Sequence, residues 1–272
     1  MSRRIAFWKL EGAGNDFLGL DGRRKPLGLS REKIAAWCDR QRGAGADGVL
    51  VVEKPRARGA DFRMRYYNAD GGEAEMCGNG ARCFALLAKE VAGGRGQRLR
   101  VETKAGLILL DLVGKEVRVS MPDPGLPRLG KEITAAGRRV KLDFLNTGVP
   151  HVVEFVRSVE TAEVVKSGRA IRLHSAFAPS GTNVNFVAVN RKNRIEVRTY
   201  ERGVEAETLA CGTGVVASSI LANLRRGVKP PVKVLTRGGD VLTVNFTLEN
   251  GRPRKVTLQG PARIVYEGVF YV

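Results

Sequence analysis

Two cysteines lie in the same local sequence, and both could act as thiolates. Cys77 and Cys211 each occupy the cysteine position of the pattern Glu-x-x-x-Cys-Gly-x-Gly, which begins at Glu73 in one copy and at Glu207 in the other. The apolar residues after each copy predict a helix that starts directly after the cysteine. Backbone N–H groups at a helix N-terminus lack acceptors within the helix, and the helix dipole is positive there. This environment favours a thiolate and can also hold a carboxylate.

A pair of such thiols predicts inversion at a carbon centre. One thiolate removes a proton from one face of the carbon, and the thiol on the opposite face returns a proton. If each sulfur lies roughly 3–3.5 Å from that carbon, the two sulfurs are about 6–7 Å apart. The helix N-termini would stabilise the carbanion that forms next to a carboxylate. This chemistry requires no cofactor, and we expect none.

Short β-strands dominate the chain around these motifs. A strand that ends in tyrosine precedes each copy, at Phe62–Tyr67 and at Ile195–Tyr200. Only three helices are predicted, from Ser30 to Gln41, from Gly78 to Val91 and from Gly212 to Leu224. Strands therefore outnumber helices, without the regular alternation of a parallel α/β fold. The pattern predicts an α+β fold built from mostly antiparallel sheets, each wrapped around a central element.

The two cysteine motifs indicate an internal repeat. They are separated by 211 − 77 = 134 residues, which is close to half of the 272-residue chain. Two similar halves with one motif each are the simplest explanation. The proline-rich stretch from Met121 to Pro127 is the predicted linker between them. We therefore expect an N-terminal domain of residues 1–119 plus 261–272 and a C-terminal domain of residues 120–260.

Composition places the chain among globular proteins. Hydrophobic residues make up 43% and charged residues 27%, and no apolar run approaches the roughly 18–20 residues of a membrane span. Four cysteines are too few for a disulfide scaffold in a chain of this length. We expect a cytoplasmic protein without a membrane partner. Cys38 and Cys83 fall on apolar helix faces, where a cysteine serves as a small core residue.

Other sites that these residues could suggest are disfavoured. Zinc is disfavoured because the chain has only two histidines and no Cys-x-x-Cys pair. The glycines of residues 43–48 match a dinucleotide loop, but the predicted helix precedes them and the strand follows, in the reverse of the required order. The net charge of +18 raises the alternative of a nucleic-acid binder. Aromatic residues are only 6% and the basic residues are dispersed, which favours a solvated basic surface instead.

The sequence resembles the diaminopimelate epimerase family over nearly its whole length. The segments that carry the resemblance, beyond the two cysteine motifs, are Gly14–Phe17, Gly43–Gly48, Tyr67–Gly71, Gly148–His151, Gly181–Phe186 and Tyr200–Gly203. The resemblance implies a cofactor-independent epimerase that interconverts LL- and meso-2,6-diaminopimelate, a step in lysine and peptidoglycan synthesis. It implies two pseudo-symmetric domains, each with a sheet around a central helix, and an active site in the cleft between them. It also implies a C-terminal strand that returns to the first domain, and a homodimer.

The resemblance assigns roles to particular residues. Cys77 and Cys211 would be the acid/base thiols, and His151 and Glu201 the polar pair that tunes them or assists proton transfer. The remaining positions would bind the small-molecule substrate, and these are Asn15, Asn68, Gly78, Asn79, Asn183, Glu201, Arg202, Gly212 and Thr213.

Two positions leave an alternative open. Gly48 stands where some members of the family carry glutamine, and Val149 stands where some carry asparagine. Both changes remove a side-chain amide that could contact the far end of the substrate. The alternative is a related cofactor-independent racemase of proline, hydroxyproline or histidine.

Overall fold

The computed structural model describes residues 4–94, 96–191 and 193–271 of the chain. The domain limits predicted at residues 1 and 272 therefore lie outside the described residues. The described Cα atoms group into two compact units. The first unit runs to Val119 and resumes at Gly260, and the second runs from Ser120 to Gln259.

The first unit contains two helices and one set of paired strands. The helices are α1 (Arg31–Cys38) and α2 (Gly78–Val91). The strands are β1 (Arg4–Gly12), β2 (Asn15–Asp21), β3 (Gly48–Glu53), β4 (Phe62–Asn68), β5 (Glu73–Ala74), β6 (Arg98–Thr103), β7 (Gly106–Val113), β8 (Glu116–Ser120) and, from the end of the chain, β18 (Arg263–Tyr271).

The second unit contains the same kinds of element. Its helices are α3 (Val164–Arg172) and α4 (Gly212–Arg226), with a 3-10 turn at Ser175–Phe177. Its strands are β9 (Arg128–Ala135), β10 (Arg138–Asn146), β11 (Pro150–Phe155), β12 (Asn183–Arg191), β13 (Arg194–Glu201), β14 (Ala206–Thr208), β15 (Val232–Thr236), β16 (Val241–Glu249) and β17 (Arg252–Pro261). From β10 onward these elements follow the order of the first unit from β1.

The strand pairings of the two units match one for one. In the first unit β2 is antiparallel to β1 and parallel to β3, which is antiparallel to β4. In the second unit β11 is antiparallel to β10 and parallel to β12, which is antiparallel to β13. The short strands β5 and β14 pair with β4 and β13 in the same way. These equal pairings confirm the predicted pseudo-symmetric α+β fold.

Each unit is built around one buried helix. Helix α2 contacts β1, β2, β3, β4, β7 and β18, and α4 contacts β10, β11, β12, β13, β15 and β16. Both helices carry runs of small and apolar residues that are buried on nearly every side. A helix that is apolar all round is stable only when other elements surround it. The prediction of a sheet wrapped around a central helix is therefore confirmed.

The other helix of each unit packs on the opposite face of the sheet. Ile34 and Trp37 of α1 join Leu18, Val49 and Tyr67 in one apolar cluster. Helix α3 does the same in the second unit through Val164 and Ile171, and the cluster there includes Val152, Val184, Phe186 and Tyr200. Because both faces of the sheet are buried, the central strands consist mostly of apolar residues and do not alternate strictly between apolar and polar ones.

Several element predictions were incomplete or wrong. The helix predicted to reach Gln41 ends at Cys38, because Asp39 is extended and its carboxylate accepts from the N–H groups of Gln41 and Arg42. Helix α3 was missed, since Ser167 and Gly168 have low helix propensity and occupy its buried stripe. Strands β2, β5, β6, β9, β10 and β14 were also missed.

Two predicted features of the chain path are present. The C-terminal strand β18 pairs antiparallel with β1, with Ala6 opposite Val269. Residues 121–127, the predicted linker, form neither helix nor strand. None of the helices in the described part of the chain has both the length and the apolar character needed to cross a membrane.

Candidate active site

Cys77 is the N-cap residue of helix α2. Its backbone is extended, and its Sγ accepts a hydrogen bond from the N–H of Gly80 at 3.4 Å. N-cap side chains normally satisfy one of the orphan N–H groups in the first helical turn. Here a sulfur takes the place of the usual hydroxyl or carboxylate oxygen. The sulfur is therefore held against the positive end of the helix, as the sequence predicted.

A buried arginine organises the first turn of α2. Arg82 is fully buried and donates to the side-chain oxygen of Asn79 at 2.8 Å and to the carbonyl of Gly78 at 3.3 Å. The amide of Asn79 in turn donates to Asn15 Oδ1 at 2.6 Å, and Asn15 donates to Asp47 at 2.9 Å. Arg82 thus links the predicted site residues Gly78 and Asn79 directly, and Asn79 links them to Asn15.

Charged residues fix the strand start that carries Asn15. Asp16 forms ion pairs with Lys9 at 2.6 Å and with Arg40 at 2.7 Å, and Arg40 also pairs with Asp47. Burial opposes ionisation of Asp16, but hydrogen bonds and charges from Arg40 and Lys9 outweigh it and lower its pKa to about 2. Asp16 is therefore ionised at neutral pH.

Cys211 is the N-cap of helix α4, but its sulfur has a different neighbour. Its Sγ lies 3.6 Å from the hydroxyl oxygen of Thr213, two residues further along. The same hydroxyl lies 2.9 Å from Nε2 of His151. Because Thr213 occupies the position that Asn79 holds in the first repeat, the two cysteines have equivalent backbones and different side-chain partners.

His151 is a neutral residue inside the second unit. Its side chain is completely buried on β11, and the amide of Asn185 lies 3.2 Å from its Nδ1. Burial, with a smaller contribution from the positive charge of Arg202, lowers the pKa of His151 to about 3. An imidazole with this pKa has one ring proton at neutral pH and acts as a hydrogen-bond donor at one nitrogen only.

The remaining predicted residues of the second unit lie where β11, β12 and β13 meet. Asn183 is buried, donates to the carbonyl of Pro150 at 3.0 Å and accepts from the N–H of Arg202 at 2.8 Å. Glu201 accepts from the hydroxyl of Thr208 at 2.8 Å. The asparagine therefore links the start of one strand to the end of another, beside the glutamate and arginine predicted to recognise substrate.

The two other cysteines belong to the hydrophobic core, as predicted. Cys38 and Cys83 are both buried. Burial raises the pKa of Cys38 to about 11, and it raises the pKa of Cys83 further. Thiols in such surroundings stay protonated and unreactive. Within residues 4–94, 96–191 and 193–271, no group of three histidine, cysteine or acidic side chains is arranged to hold a metal ion.

Comparison with known proteins identifies the family. The sequence matches the diaminopimelate epimerase family over residues 7–126 and 144–265. It is 45% identical to the diaminopimelate epimerase of Aquifex aeolicus over 275 residues, which covers 97% of each chain. The chain belongs to the diaminopimelate epimerase family. A second member, from Hydrogenobaculum sp., is 42% identical over 275 residues and 96% of each chain.

The fold is shared more widely than the family. A solved hydroxyproline epimerase from Agrobacterium vitis, with bound trans-4-hydroxy-L-proline, matches this chain with a TM-score of 0.72. The sequence identity is 18%, and the match covers 100% of this chain and 94% of that one. At this identity the likeness shows the fold alone. Proteins outside the diaminopimelate epimerase family therefore have the same fold as this chain.

The structure brings all but one of the predicted site residues of this family member into two groups, one in each unit. Cys77, Gly78, Asn79 and Asn15 lie together at the start of α2 in the first unit. The second group lies in the second unit, and its members are Cys211, Gly212, Thr213, His151, Asn183, Glu201 and Arg202. Asn68 is exposed at the end of β4, where its backbone closes a turn with Gly71 and Gly72.

Sequence reasoning missed the residues that hold these groups in place. Arg65 and Arg198 form two-point ion pairs with Glu73 and Glu207, the first residues of the two cysteine motifs. Each arginine precedes the tyrosine of its strand by two residues, so the repeat itself contained the signal. Asn185 was also missed as a site residue, because asparagine in an apolar strand shows no spacing pattern of its own.

In this member of the diaminopimelate epimerase family, the backbone at position 48 leaves no room for a side chain. A Cβ atom at Gly48 would lie 2.4 Å from the carbonyl oxygen of Tyr67 and 2.8 Å from the ring of Tyr66. Atoms of real side chains do not approach so closely, so a glutamine at this position would need β3 and β4 to separate. Tyr66 thus takes the space beside this strand end.

Proposed function

We propose that this chain interconverts LL- and meso-2,6-diaminopimelate, using Cys77 and Cys211 as its two acid/base groups. The observation that carries the proposal is that both cysteines are N-caps of buried, glycine-rich helices at matching places of a structural repeat. Family membership supports the substrate, since relatives over almost the full chain are diaminopimelate epimerases. The reaction would serve lysine and peptidoglycan synthesis.

The proposed reaction is a proton exchange at one α-carbon. One thiolate takes the α-proton, the electron pair stays on the carbon next to the carboxylate, and the opposite thiol donates its proton to the other face. The first thiol then holds a proton and the second is a thiolate, so the reverse reaction begins from that state. Both sulfurs must therefore reach the same carbon during turnover.

The two helix N-termini supply the stabilisation that this carbanion requires. The backbone N–H groups of Gly78 and Asn79 and those of Gly212 and Thr213 begin α2 and α4, where N–H groups have no acceptor within the helix. We assign the substrate carboxylate to these groups. Fixed N–H dipoles stabilise the developing charge without having to reorganise during the reaction.

The polar side chains have supporting roles in the proposal. His151 is neutral, so we assign it hydrogen bonding near Cys211 rather than a charge change. Glu201 and Arg202 would recognise the substrate ammonium and carboxylate, with Asn15, Asn68 and Asn183 at its other polar groups. The hydrogen bonds of Asn183 with Pro150 and Arg202 support this placement, because they fix the backbone from which the Arg202 side chain extends.

We also propose the organisation of the protein around this reaction. Residues 1–119 with 261–272 would be the N-terminal epimerase domain, and residues 120–260 the C-terminal one. The two compact units support these limits. We further propose a cytoplasmic homodimer that needs no cofactor.

A substrate panel in heavy water tests the proposal. The purified chain is incubated with LL-diaminopimelate, proline, hydroxyproline and histidine, and the stereoisomers are separated by chiral chromatography. We expect inversion of diaminopimelate alone, with solvent deuterium incorporated at the α-carbon. Epimerisation of a cyclic amino acid without any diaminopimelate turnover would favour the racemase alternative. Retention of the original α-hydrogen in inverted product would exclude proton exchange through thiols.

A further inference from the structure

Three polar side chains of the second unit occupy places that hold a phenylalanine, a leucine and a tyrosine in the first. Asn185 pairs with Thr199 in the same way that Leu50 pairs with Tyr66, and His151 occupies the place of Phe17. The correspondence follows from the equal registers of β2–β3–β4 and β11–β12–β13. All three polar residues are buried to at least 97%. Burying polar groups in place of apolar ones costs stability, so the substitution calls for a function.

The orientation of the Asn185 amide is determined by its neighbours. Its nitrogen lies 2.9 Å from the carbonyl oxygen of Val152, which can only accept a hydrogen bond. Its oxygen accepts from the hydroxyl of Thr199 at 2.9 Å. The amide therefore cannot be turned around. The same NH₂ group lies 3.2 Å from Nδ1 of His151, so Nδ1 must be the acceptor and carry no proton.

The position of the imidazole proton then determines the next hydrogen bond. A neutral imidazole with an unprotonated Nδ1 has its proton on Nε2. That N–H donates to the hydroxyl oxygen of Thr213 at 2.9 Å. The hydroxyl hydrogen of Thr213 must point elsewhere, and the sulfur of Cys211 lies 3.6 Å away. The order of donors thus runs from Asn185 to His151, and from His151 through Thr213 to Cys211.

We propose that Asn185 is a positioning residue, which fixes the proton of His151 on Nε2 and thereby directs the hydroxyl hydrogen of Thr213 to the sulfur of Cys211. The hydrogen bond stabilises the thiolate at Cys211. At the matching place of the first unit, Cys77 accepts from a backbone N–H instead, and Leu50 stands where Asn185 does. The side-chain relay belongs to the second unit, and it rests on the proposed function only in giving Cys211 a catalytic role.

Nitrogen NMR of the histidine rings tests the first half of the relay. The chain has two histidines, His151 and His174, so ¹⁵N labelling with a His174→Gln variant assigns both signals. We expect His151 in the substrate-free protein to be protonated on Nε2 alone at neutral pH. In Asn185→Asp the carboxylate accepts a hydrogen bond, so the proton moves to Nδ1. In Asn185→Leu, which copies Leu50 of the other unit, both tautomers are populated.

Alkylation of the sulfur tests the second half. In a Cys77→Ser background, the rate at which iodoacetamide modifies Cys211 is measured at neutral pH by peptide mass spectrometry. We expect Asn185→Asp and Asn185→Leu to slow the reaction roughly tenfold, which corresponds to one charge-assisted hydrogen bond. Ser219→Ala is the matched control, since it removes a buried hydrogen bond of α4, to Val215, without touching the relay. It should change neither the tautomer nor the rate.

The outcomes separate this proposal from the proposed function. A proton on Nδ1 of His151 in the unaltered protein overturns the relay, and that measurement depends on no variant. A tautomer that moves while Cys211 reacts at an unchanged rate also overturns it. If the tautomer and the alkylation rates behave as expected but no diaminopimelate is epimerised, then the proposed function fails and the relay stands.

Discussion

Arg198 binds both carboxylate oxygens of Glu207, with nitrogen–oxygen distances of 2.6 and 2.7 Å. Arg65 and Glu73 repeat the arrangement at 2.9 and 3.0 Å in the first unit. In both units the pair ties a long strand, β13 or β4, to the short strand that leads into a cysteine. A two-point ion pair fixes orientation as well as distance, so it holds the short strand before each cysteine in place against the long one.

Loss of this ion pair should lower the free energy of unfolding more in the second unit than in the first. We expect Arg198→Ala to lower the free energy of unfolding by about 2 kcal/mol, because Glu207 would be left partly buried without its partner. Arg65→Ala should cost about 1 kcal/mol, since that pair is more exposed. Urea unfolding of the two variants measures the difference. An equal or reversed order would show that the pairs do not stabilise the units through burial.

Replacement of either N-cap cysteine should abolish turnover and preserve the fold. Cys77→Ser and Cys211→Ser should each lower kcat by about 100- to 10,000-fold, because inversion needs an acid/base group on both faces. Steady-state assays with circular dichroism on the same samples separate activity from folding. Cys38→Ala is the control, since Cys38 lies in the apolar core and should leave kcat unchanged. A single-serine variant with near-normal kcat would contradict the two-thiol assignment.

The buried histidine should make stability depend on pH below neutrality. Unfolded histidine binds a proton near pH 6.5, whereas folded His151 does so only near pH 3. The unfolded state therefore binds more protons between these values, and the free energy of unfolding falls as the pH falls, by up to about 1.4 kcal/mol per unit. Urea unfolding at pH 7 and pH 5 measures this slope.

Two histidine variants identify the source of that slope. His151→Gln should flatten the dependence between pH 7 and pH 5, since glutamine does not titrate. His174→Gln is the matched control, because it makes the same replacement at the other histidine, which is the N-cap of the 3-10 turn. A slope that survives His151→Gln would assign the proton uptake to other groups.

A side chain at position 48 should strain the β3–β4 pairing. Gly48→Ala would place its Cβ 2.4 Å from a carbonyl oxygen and is expected to lower the free energy of unfolding by about 1–3 kcal/mol. Gly125→Ala is the matched control, because its Cβ would make only ordinary contacts, at 3.7 and 3.8 Å. Thermal denaturation compares the two. Equal melting temperatures would show that β3 and β4 can separate without cost.

The sequence by itself determined the repeat and the start of each helix that carries chemistry. The two Glu-x-x-x-Cys-Gly-x-Gly copies predicted that Cys77 and Cys211 precede buried helices, and α2 and α4 begin at Gly78 and Gly212. This worked because capping and apolar periodicity are local, and they act over a few residues. The core positions of Cys38 and Cys83 followed from the same local patterns.

Only the tertiary structure decided which side chains support each cysteine. Asn185 lies 26 residues from Cys211 in the sequence, and it joins His151 and Thr199 only because β11, β12 and β13 pair in one register. Arg82, a charged residue, can be fully buried because Pro261, Gly78 and Asn79 each accept a hydrogen bond from one of its three guanidinium nitrogens. Burial and hydrogen-bond partners arise from long-range packing, so local patterns could locate the thiols but could not reveal the polar networks that orient them.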